Sequence, residues 1–234
     1  MNQLFHSLNA LHVAAAASAL TLLVGLLLTL QASSLRPVRP QGLRSGFTRR
    51  TLAMELLKCV GDVGDVLGPG QWNRNIMVWQ QWIDFFFIAF YLLAFLAFAL
   101  AAGRRNQAWG MGIGCLAVVA AGADLIEDLS IMAIAGADTV TTQQINRVRR
   151  AALTKWCCIF VLLGTLSPLY WLLATPAANV AAVLLFTAGL FGMAVTFTSK
   201  APLIEKATSL MSLALLCATL VLIGLAIRRE LPAW

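Results

Sequence analysis

Six apolar stretches, each close to the length of a membrane-spanning helix, occupy most of this chain. The hydrocarbon core of a bilayer is about 30 Å thick, so a spanning helix needs about 20 mostly apolar residues. Charged residues make up only 12% of the chain and hydrophobic residues 60%, whereas a soluble domain carries about 25% charged residues. The sequence therefore predicts an all-α polytopic transmembrane bundle with about six spanning helices. The predicted spans are 11–30, 79–102, 108–135, 152–174, 178–198 and 207–227.

The distribution of polar residues divides the chain into three parts: an N-terminal transmembrane anchor (1–30), a basic linker with an amphipathic helix (31–78) and a five-helix membrane bundle (79–234). In the middle part, apolar residues recur at helical spacing and predict a helix over 51–67 that ends at Gly68. Such a helix either lies on the membrane surface or packs across the mouth of the bundle. Its polar face would carry Glu55, Lys58, Asp62 and Asp65.

The basic residues predict an orientation for the chain in the membrane. Thirteen of the lysines and arginines flank the predicted spans at one end of the bundle, and four at the other. Since basic loops stay in the cytoplasm, both termini are expected outside it. The first apolar stretch has no basic segment before it and many arginines after it, so we interpret it as a membrane anchor and not a signal peptide.

Composition also argues against several kinds of partner and site. The net charge of +7 arises from short segments between apolar stretches, so no nucleic-acid-binding face is expected. The five cysteines form no C-x-x-C pair, and we interpret them as small core residues. His6 and His12 are the only histidines, and both are expected near the opposite membrane face from the acidic cluster described next. The sequence names no cofactor and no metal.

One group of ionisable residues lies within the predicted spans, where such residues are costly and mark functional sites. Asp124, Glu127 and Asp128 share one face of the third span, because helix neighbours lie three and four residues apart. Asp84 lies on the second span, with Tyr91 one heptad further along the same face, and Lys155 lies on the fourth span. In antiparallel helices the four acids and Lys155 fall close to the same membrane interface and are expected to form one polar layer, and Tyr91 is a further candidate binding residue.

Four carboxylates and one lysine cannot all stay ionised in a low-dielectric environment, so some must be protonated, paired or bound to a cation. Three interpretations remain open. The layer is a structural lock, with Lys155 paired to Glu127 and Asp84 paired to a basic loop residue; or it binds a proton, an ion or a polar solute; or it recognises lipid headgroups or acts on them chemically. Three acids on one face suit oxygen-binding cations, but they do not require one.

Two other features have ordinary structural explanations. The aromatic run at Phe85, Phe86 and Phe87 indicates either a surface for an apolar ligand or, more simply, lipid-facing and packing side chains. The glycines at 110, 112 and 114 allow close approach of another helix, either within the bundle or between copies of the chain.

The series Asp84-Phe85-Phe86-Phe87, Tyr91, Asp124-x-x-Glu127-Asp128 and Lys155 resembles a pattern in uncharacterised bacterial polytopic membrane proteins, over residues 54–168. In that pattern an asparagine tends to follow the glutamate, whereas this chain has Asp128. The resemblance implies a bacterial inner-membrane protein and transfers no activity.

Three functions follow as hypotheses. The first is a transporter-like or channel-like protein whose layer binds a proton, cation or polar headgroup through Asp124, Glu127 and Asp84, with Lys155 as counter-charge. The second is an accessory or structural subunit of a larger membrane complex, or a homo-oligomer. The third is a lipid-modifying enzyme, for which the sequence offers neither a nucleophile nor a metal site.

Overall fold

A computed structural model describes residues 10–38, 42–198, 200–228 and 230–231, and all regular secondary structure within these ranges is helical. His6 lies outside the described residues. The helices are α1 (Ala10–Ala32), α2 (Arg50–Glu55), α3 (Val60–Leu67), α4 (Gln71–Gly103), α5 (Gln107–Gly136), α6 (Thr142–Trp171), α7 (Pro176–Thr196) and α8 (Ala201–Ile227).

Six of these helices, all except α2 and α3, are long and apolar enough to cross a membrane, and the chain is an integral membrane protein. The prediction of a six-span helical bundle is confirmed. Three spans begin clearly earlier than predicted, because α4 begins at Gln71, α6 at Thr142 and α8 at Ala201. Polar residues continue these helices beyond the apolar core. At the start of α6, Thr141 and Gln144 form a reciprocal capping box that fixes the first turn.

The spanning helices form a ring in which each packs against the next, α1 on α4, then α5, α6, α7 and α8, which returns to contact α1. Short turns join α4 to α8 in sequence, so neighbours in this series are antiparallel. At the α4–α5 turn, Gly110 lies against the backbone of Gly103 and Ala99; a Cβ at Gly110 would approach the Ala99 oxygen to 2.5 Å. Gly112 instead faces open space, whereas a Cβ added at Gly114 would lie 3.7 Å from Cβ of Ala99, so the small-residue surface serves packing inside the bundle at Gly110 and Gly114.

The segment between α1 and α4 covers one end of the bundle, which we call the basic end because the α5–α6 and α7–α8 turns and most arginines also lie there. Helices α2 and α3 form a cap on this end, and α2 contacts α5 and α6. The sequence left two placements open for this segment, and in the structure it packs across the bundle mouth. Its buried side chains Leu52, Met54 and Leu57 pack against the basic ends of α5 and α6.

The prediction of one continuous helix over 51–67 is wrong, because the chain leaves helical geometry between Glu55 and Val60. The cause is Asp62, whose carboxylate accepts hydrogen bonds from the backbone amides of Lys58 (2.8 Å) and Cys59 (3.1 Å) and so caps a new helix. The expected polar face is also wrong in part. Asp62 and Asp65 are buried, and Asp65 lies 3.6 Å from Nε of Arg44.

Candidate functional site

The six predicted polar residues come together, with Glu55 from the cap, between two apolar clusters. One cluster is the core of the bundle and the other lies beneath the cap. Along α4 the polar position Asp84 is preceded by Met77 of the cap cluster and followed by Ile88 of the bundle core. The order is the same on α6, and on α5, which runs in the opposite direction, it is reversed along the chain. We call this set the carboxylate layer: Glu55, Asp84, Tyr91, Asp124, Glu127, Asp128 and Lys155.

Lys155 is the centre of the carboxylate layer. Its Nζ lies 2.8 Å from Oε2 of Glu127 and 3.0 Å from Oδ1 of Asp124, so it bridges two acids of α5. It also lies 3.3 Å from Oε2 of Glu55 in the cap. The Lys155 side chain is 6% exposed and Glu127 1% exposed, so these charges are removed from water and depend on each other.

Glu55 was assigned to a solvent-facing helix surface by the sequence pattern, and the structure places it in the layer. Besides Lys155, its Oε2 accepts a hydrogen bond from Nε1 of Trp156 at 3.0 Å. The signal for this position was available: Glu55 is the single acid within the apolar run Leu52-Ala53-Met54-Glu55-Leu56-Leu57. Because most neighbours in that run are buried, an acid among them needs a buried partner.

Asp84 and Tyr91 complete the layer from α4. The Tyr91 hydroxyl donates a hydrogen bond to Oδ2 of Asp124 at 3.0 Å. Asp84 is half-buried, and one carboxylate oxygen from each of Asp84, Asp124 and Asp128 lies within 4.8 Å of the other two. The structural-lock interpretation paired Asp84 with a basic loop residue, and that part of it is wrong. Asp84 faces two other acids.

A small cavity of about 20 Å³ opens within the layer, lined by acids of α4 and α5 together with Thr51, Glu55 and Gln80. About 10–15 Å³ of such space is enough for one water molecule. Two buried oxygens at this cavity have no hydrogen-bond donor among the described residues: Oδ2 of Asp128 and Oε1 of Gln80. Buried polar atoms are normally satisfied, so these two favour an additional donor or cation in the cavity.

The charges of the layer do not balance. The layer contains five carboxyl groups and one ammonium group, which contacts three of them, and no other lysine or arginine forms an ion pair with these acids among the described residues. Burial raises the pKa of Glu55 above its ordinary value of 4.5, although the nearby Lys155 ammonium partly offsets this rise. The same desolvation acts on every member of the layer that lies inside the membrane, so full ionisation is strongly disfavoured.

The three aspartates lie close enough together for one hard cation to contact an oxygen from each. Mg²⁺ and Ca²⁺ bind carboxylate oxygens, and Asp84, Asp124 and Asp128 offer one oxygen each at close range. The Lys155 ammonium group, 3.0 Å from Asp124, already neutralises part of the negative charge that would attract such an ion. The site therefore fits a proton at least as well as a divalent ion.

The remaining sequence features lie away from the layer. His12 is on α1, which packs against α4 and α8 and does not contribute to the site. The aromatic residues of α4 divide: Phe86 is exposed on the outer surface, where lipid would contact it, and Phe87 packs edge-on against Tyr91 with ring centroids 5.6 Å apart. Phe87 thus helps to position Tyr91.

Comparisons with known proteins return no match: no protein-family model, no curated protein and no solved structure is similar to this chain. The resemblance to uncharacterised bacterial membrane proteins stays a prediction.

Proposed function

We propose that this integral membrane protein is transporter-like or channel-like and that its carboxylate layer binds and exchanges a proton with the water at the basic end. Glu127 and Asp124 take up and release the exchanged proton. Asp84 and Asp128 share a second proton, and the Lys155 ammonium group is the fixed counter-charge. One observation carries the proposal: five carboxyl groups, three of them buried, are grouped with a single lysine, which contacts three of the five. A layer of this kind changes its total charge at low cost, because some of its acids are protonated at rest.

The size of the cavity favours a proton over the larger ligands that the sequence allowed. About 20 Å³ accommodates one water molecule or one dehydrated ion, and a lipid headgroup does not fit. A dehydrated cation would need several of the carboxylates ionised at once beside it. A proton needs only one acceptor, and the unsatisfied oxygen of Asp128 supplies it.

The path for exchange leads through the cap. The Glu55 side chain is 18% exposed, whereas its partner Lys155 is 6% exposed, so Glu55 is in contact with both water and the buried lysine. Glu55 belongs to a short helix that ends in the break before Val60. A proton taken up at Glu55 would be passed to the acids of α5 through the water-sized cavity that Glu55, Glu127 and Asp128 line together.

The experiment is a proton-flux assay in vesicles. The purified protein is reconstituted with a pH-sensitive dye inside, a pH gradient is applied, and valinomycin with K⁺ sets the membrane potential. Wild type is expected to carry protons faster than empty vesicles. Glu127→Gln and Asp124→Asn are expected to reduce this flux at least tenfold.

The matched control is Asp138→Asn, which removes one negative charge from an exposed position just after α5 and outside the layer. It should leave the flux unchanged. If Glu127→Gln and Asp124→Asn both carry protons like wild type, the proposal fails. If flux is absent in wild type but appears on addition of Na⁺, K⁺, Mg²⁺ or Ca²⁺, the layer binds a cation and the proton assignment is wrong.

One observation that favoured the accessory-subunit hypothesis has another explanation in the structure. The glycine surface on α5 that favoured association is used at Gly110 for packing within the bundle. Native mass spectrometry after mild-detergent extraction tests the remaining possibility, since a fixed assembly with other chains would establish a subunit and a single chain would argue against one.

A further inference from the structure

An open groove of about 670 Å³ runs along the outer surface between α5 and α6, on the faces of these helices that point away from the carboxylate layer. Its size falls within the roughly 300–1,000 Å³ typical of small-molecule sites. The groove has two chemically different halves. Val119, Gly122 and Ile126 of α5 form an apolar half, and Arg147, Arg150 and Thr154 of α6 form a polar half.

The two halves follow the depth of the membrane. Helix α6 starts at the basic end, so Arg147 and Arg150 lie within about 8–12 Å of its first residue. Helix α5 ends there, and its apolar residues extend from Ile126 back towards the bundle centre at Val119. The cations therefore lie near one interface, and the apolar wall leads from them towards the hydrocarbon core.

Both arginines are available to a ligand. Arg147 and Arg150 are exposed, and neither side chain forms a hydrogen bond or ion pair with another described residue. The apolar wall is also uncovered, since Val119 and Ile126 are exposed and Gly122 has no neighbour within 4 Å of an added Cβ. Two adjacent guanidinium groups suit a phosphate, which they bind through paired charge-assisted hydrogen bonds.

We propose that this groove binds one anionic phospholipid, with its phosphate on Arg147 and Arg150 and one acyl chain along Val119, Gly122 and Ile126. Basic pockets between spanning helices near the interface have the chemistry for anionic lipid headgroups. The apolar wall is the reason to assign a lipid and not a free phosphate, because an inorganic anion would leave that wall unused. This site uses none of the residues of the carboxylate layer and is independent of the proposed proton exchange.

The test is native mass spectrometry of the purified protein titrated separately with phosphatidylglycerol and phosphatidylethanolamine. Wild type should retain one phosphatidylglycerol in preference to phosphatidylethanolamine. Arg147→Gln/Arg150→Gln should weaken retention of phosphatidylglycerol about tenfold or more, since each basic residue near a membrane surface contributes about 1 kcal/mol to anionic-lipid binding. The control is Arg149→Gln, which removes one positive charge from the same helix outside the groove and should retain the lipid.

A second pair of variants tests the acyl chain without changing any charge. Gly122→Leu fills the apolar half and should reduce phosphatidylglycerol retention, whereas Gly112→Leu adds the same side chain to an open position of α5 outside the groove and should not. Glycerol phosphate, which lacks acyl chains, should fail to compete at equal concentration. Equal retention of both lipids by wild type, unchanged retention in Gly122→Leu, or full competition by glycerol phosphate would each overturn the proposal.

Discussion

Nζ of Lys155 lies 2.8 Å from Oε2 of Glu127, and this buried ion pair joins α6 to α5 at the one level of the bundle where five carboxyl groups meet. The pair is not isolated, because Asp124 and Glu55 also contact the same ammonium group. Buried ion pairs stabilise little in net terms, but removal of one partner leaves an uncompensated charge in a low-dielectric environment.

Lys155→Met is expected to destabilise the protein by about 3–5 kcal/mol, because it leaves three acids without their counter-charge. The free energy of unfolding is measured in detergent by denaturant titration. Lys155→Met/Glu127→Gln should recover part of the loss, since the second substitution removes one of the stranded carboxylates. If the double variant instead loses the sum of the two single-variant effects, Lys155 and Glu127 are not coupled.

Glu55 gives the protein a pH dependence with a defined sign. Burial raises the pKa of Glu55 above its ordinary value of 4.5, so the folded protein holds this proton at higher pH than the unfolded chain does. The contribution of Glu55 to stability is therefore present below pH 4.5 and is lost as pH rises through the folded pKa. Wild-type Tm should fall more steeply than that of Glu55→Gln across this window; parallel Tm profiles would contradict the burial of the Glu55 carboxyl group.

The two buried tyrosines provide a matched comparison. The Tyr91 hydroxyl donates to the carboxylate of Asp124 at 3.0 Å, whereas the Tyr170 hydroxyl donates to the backbone oxygen of Ala218 at 3.2 Å. Hydrogen bonds to charged groups contribute about 1.5–3 kcal/mol and neutral ones about 1 kcal/mol. Tyr91→Phe should therefore lower the free energy of unfolding more than Tyr170→Phe. The reverse order would indicate that Asp124 is not charged in the folded protein.

Two glycines of α5 test the packing of the ring. Gly110→Ala forces a Cβ to 2.5 Å from the Ala99 oxygen and should cost about 1–3 kcal/mol, because backbone of α4 must move. Gly112→Ala meets open space and should be neutral or stabilising by up to about 1 kcal/mol, since alanine favours a helix. Thermal unfolding in one detergent compares the two. Equal effects would show that α4 and α5 are not in close contact at Gly110.

The sequence predicted the six spans and the meeting of Asp84, Asp124, Glu127, Asp128 and Lys155, because apolar length and helical spacing are local properties. It did not predict the cap. The break between α2 and α3 depends on Asp62 binding the amides of Lys58 and Cys59, and a cysteine at the cap position hides that signal.

The role of Glu55 was also missed, for a different reason. Its partner Lys155 lies 100 residues away in sequence. No local period relates the two residues, so the contact follows only from the folded position of the cap. The single acid within an apolar run was the available clue, and it indicates burial without identifying the partner.

Protonated and ionised carboxyl groups absorb at different infrared frequencies. Infrared spectroscopy therefore tests whether some acids of the carboxylate layer are protonated at rest. Spectra of wild type, Asp128→Asn and the exposed control Asp138→Asn are compared at pH 7, with exchange into D₂O to identify protonated acids. The proposal of acids that are protonated at rest predicts a protonated-carboxyl band in wild type that shifts in D₂O, weakens in Asp128→Asn, and persists in Asp138→Asn. A wild-type spectrum without any protonated carboxyl at pH 7 would contradict it.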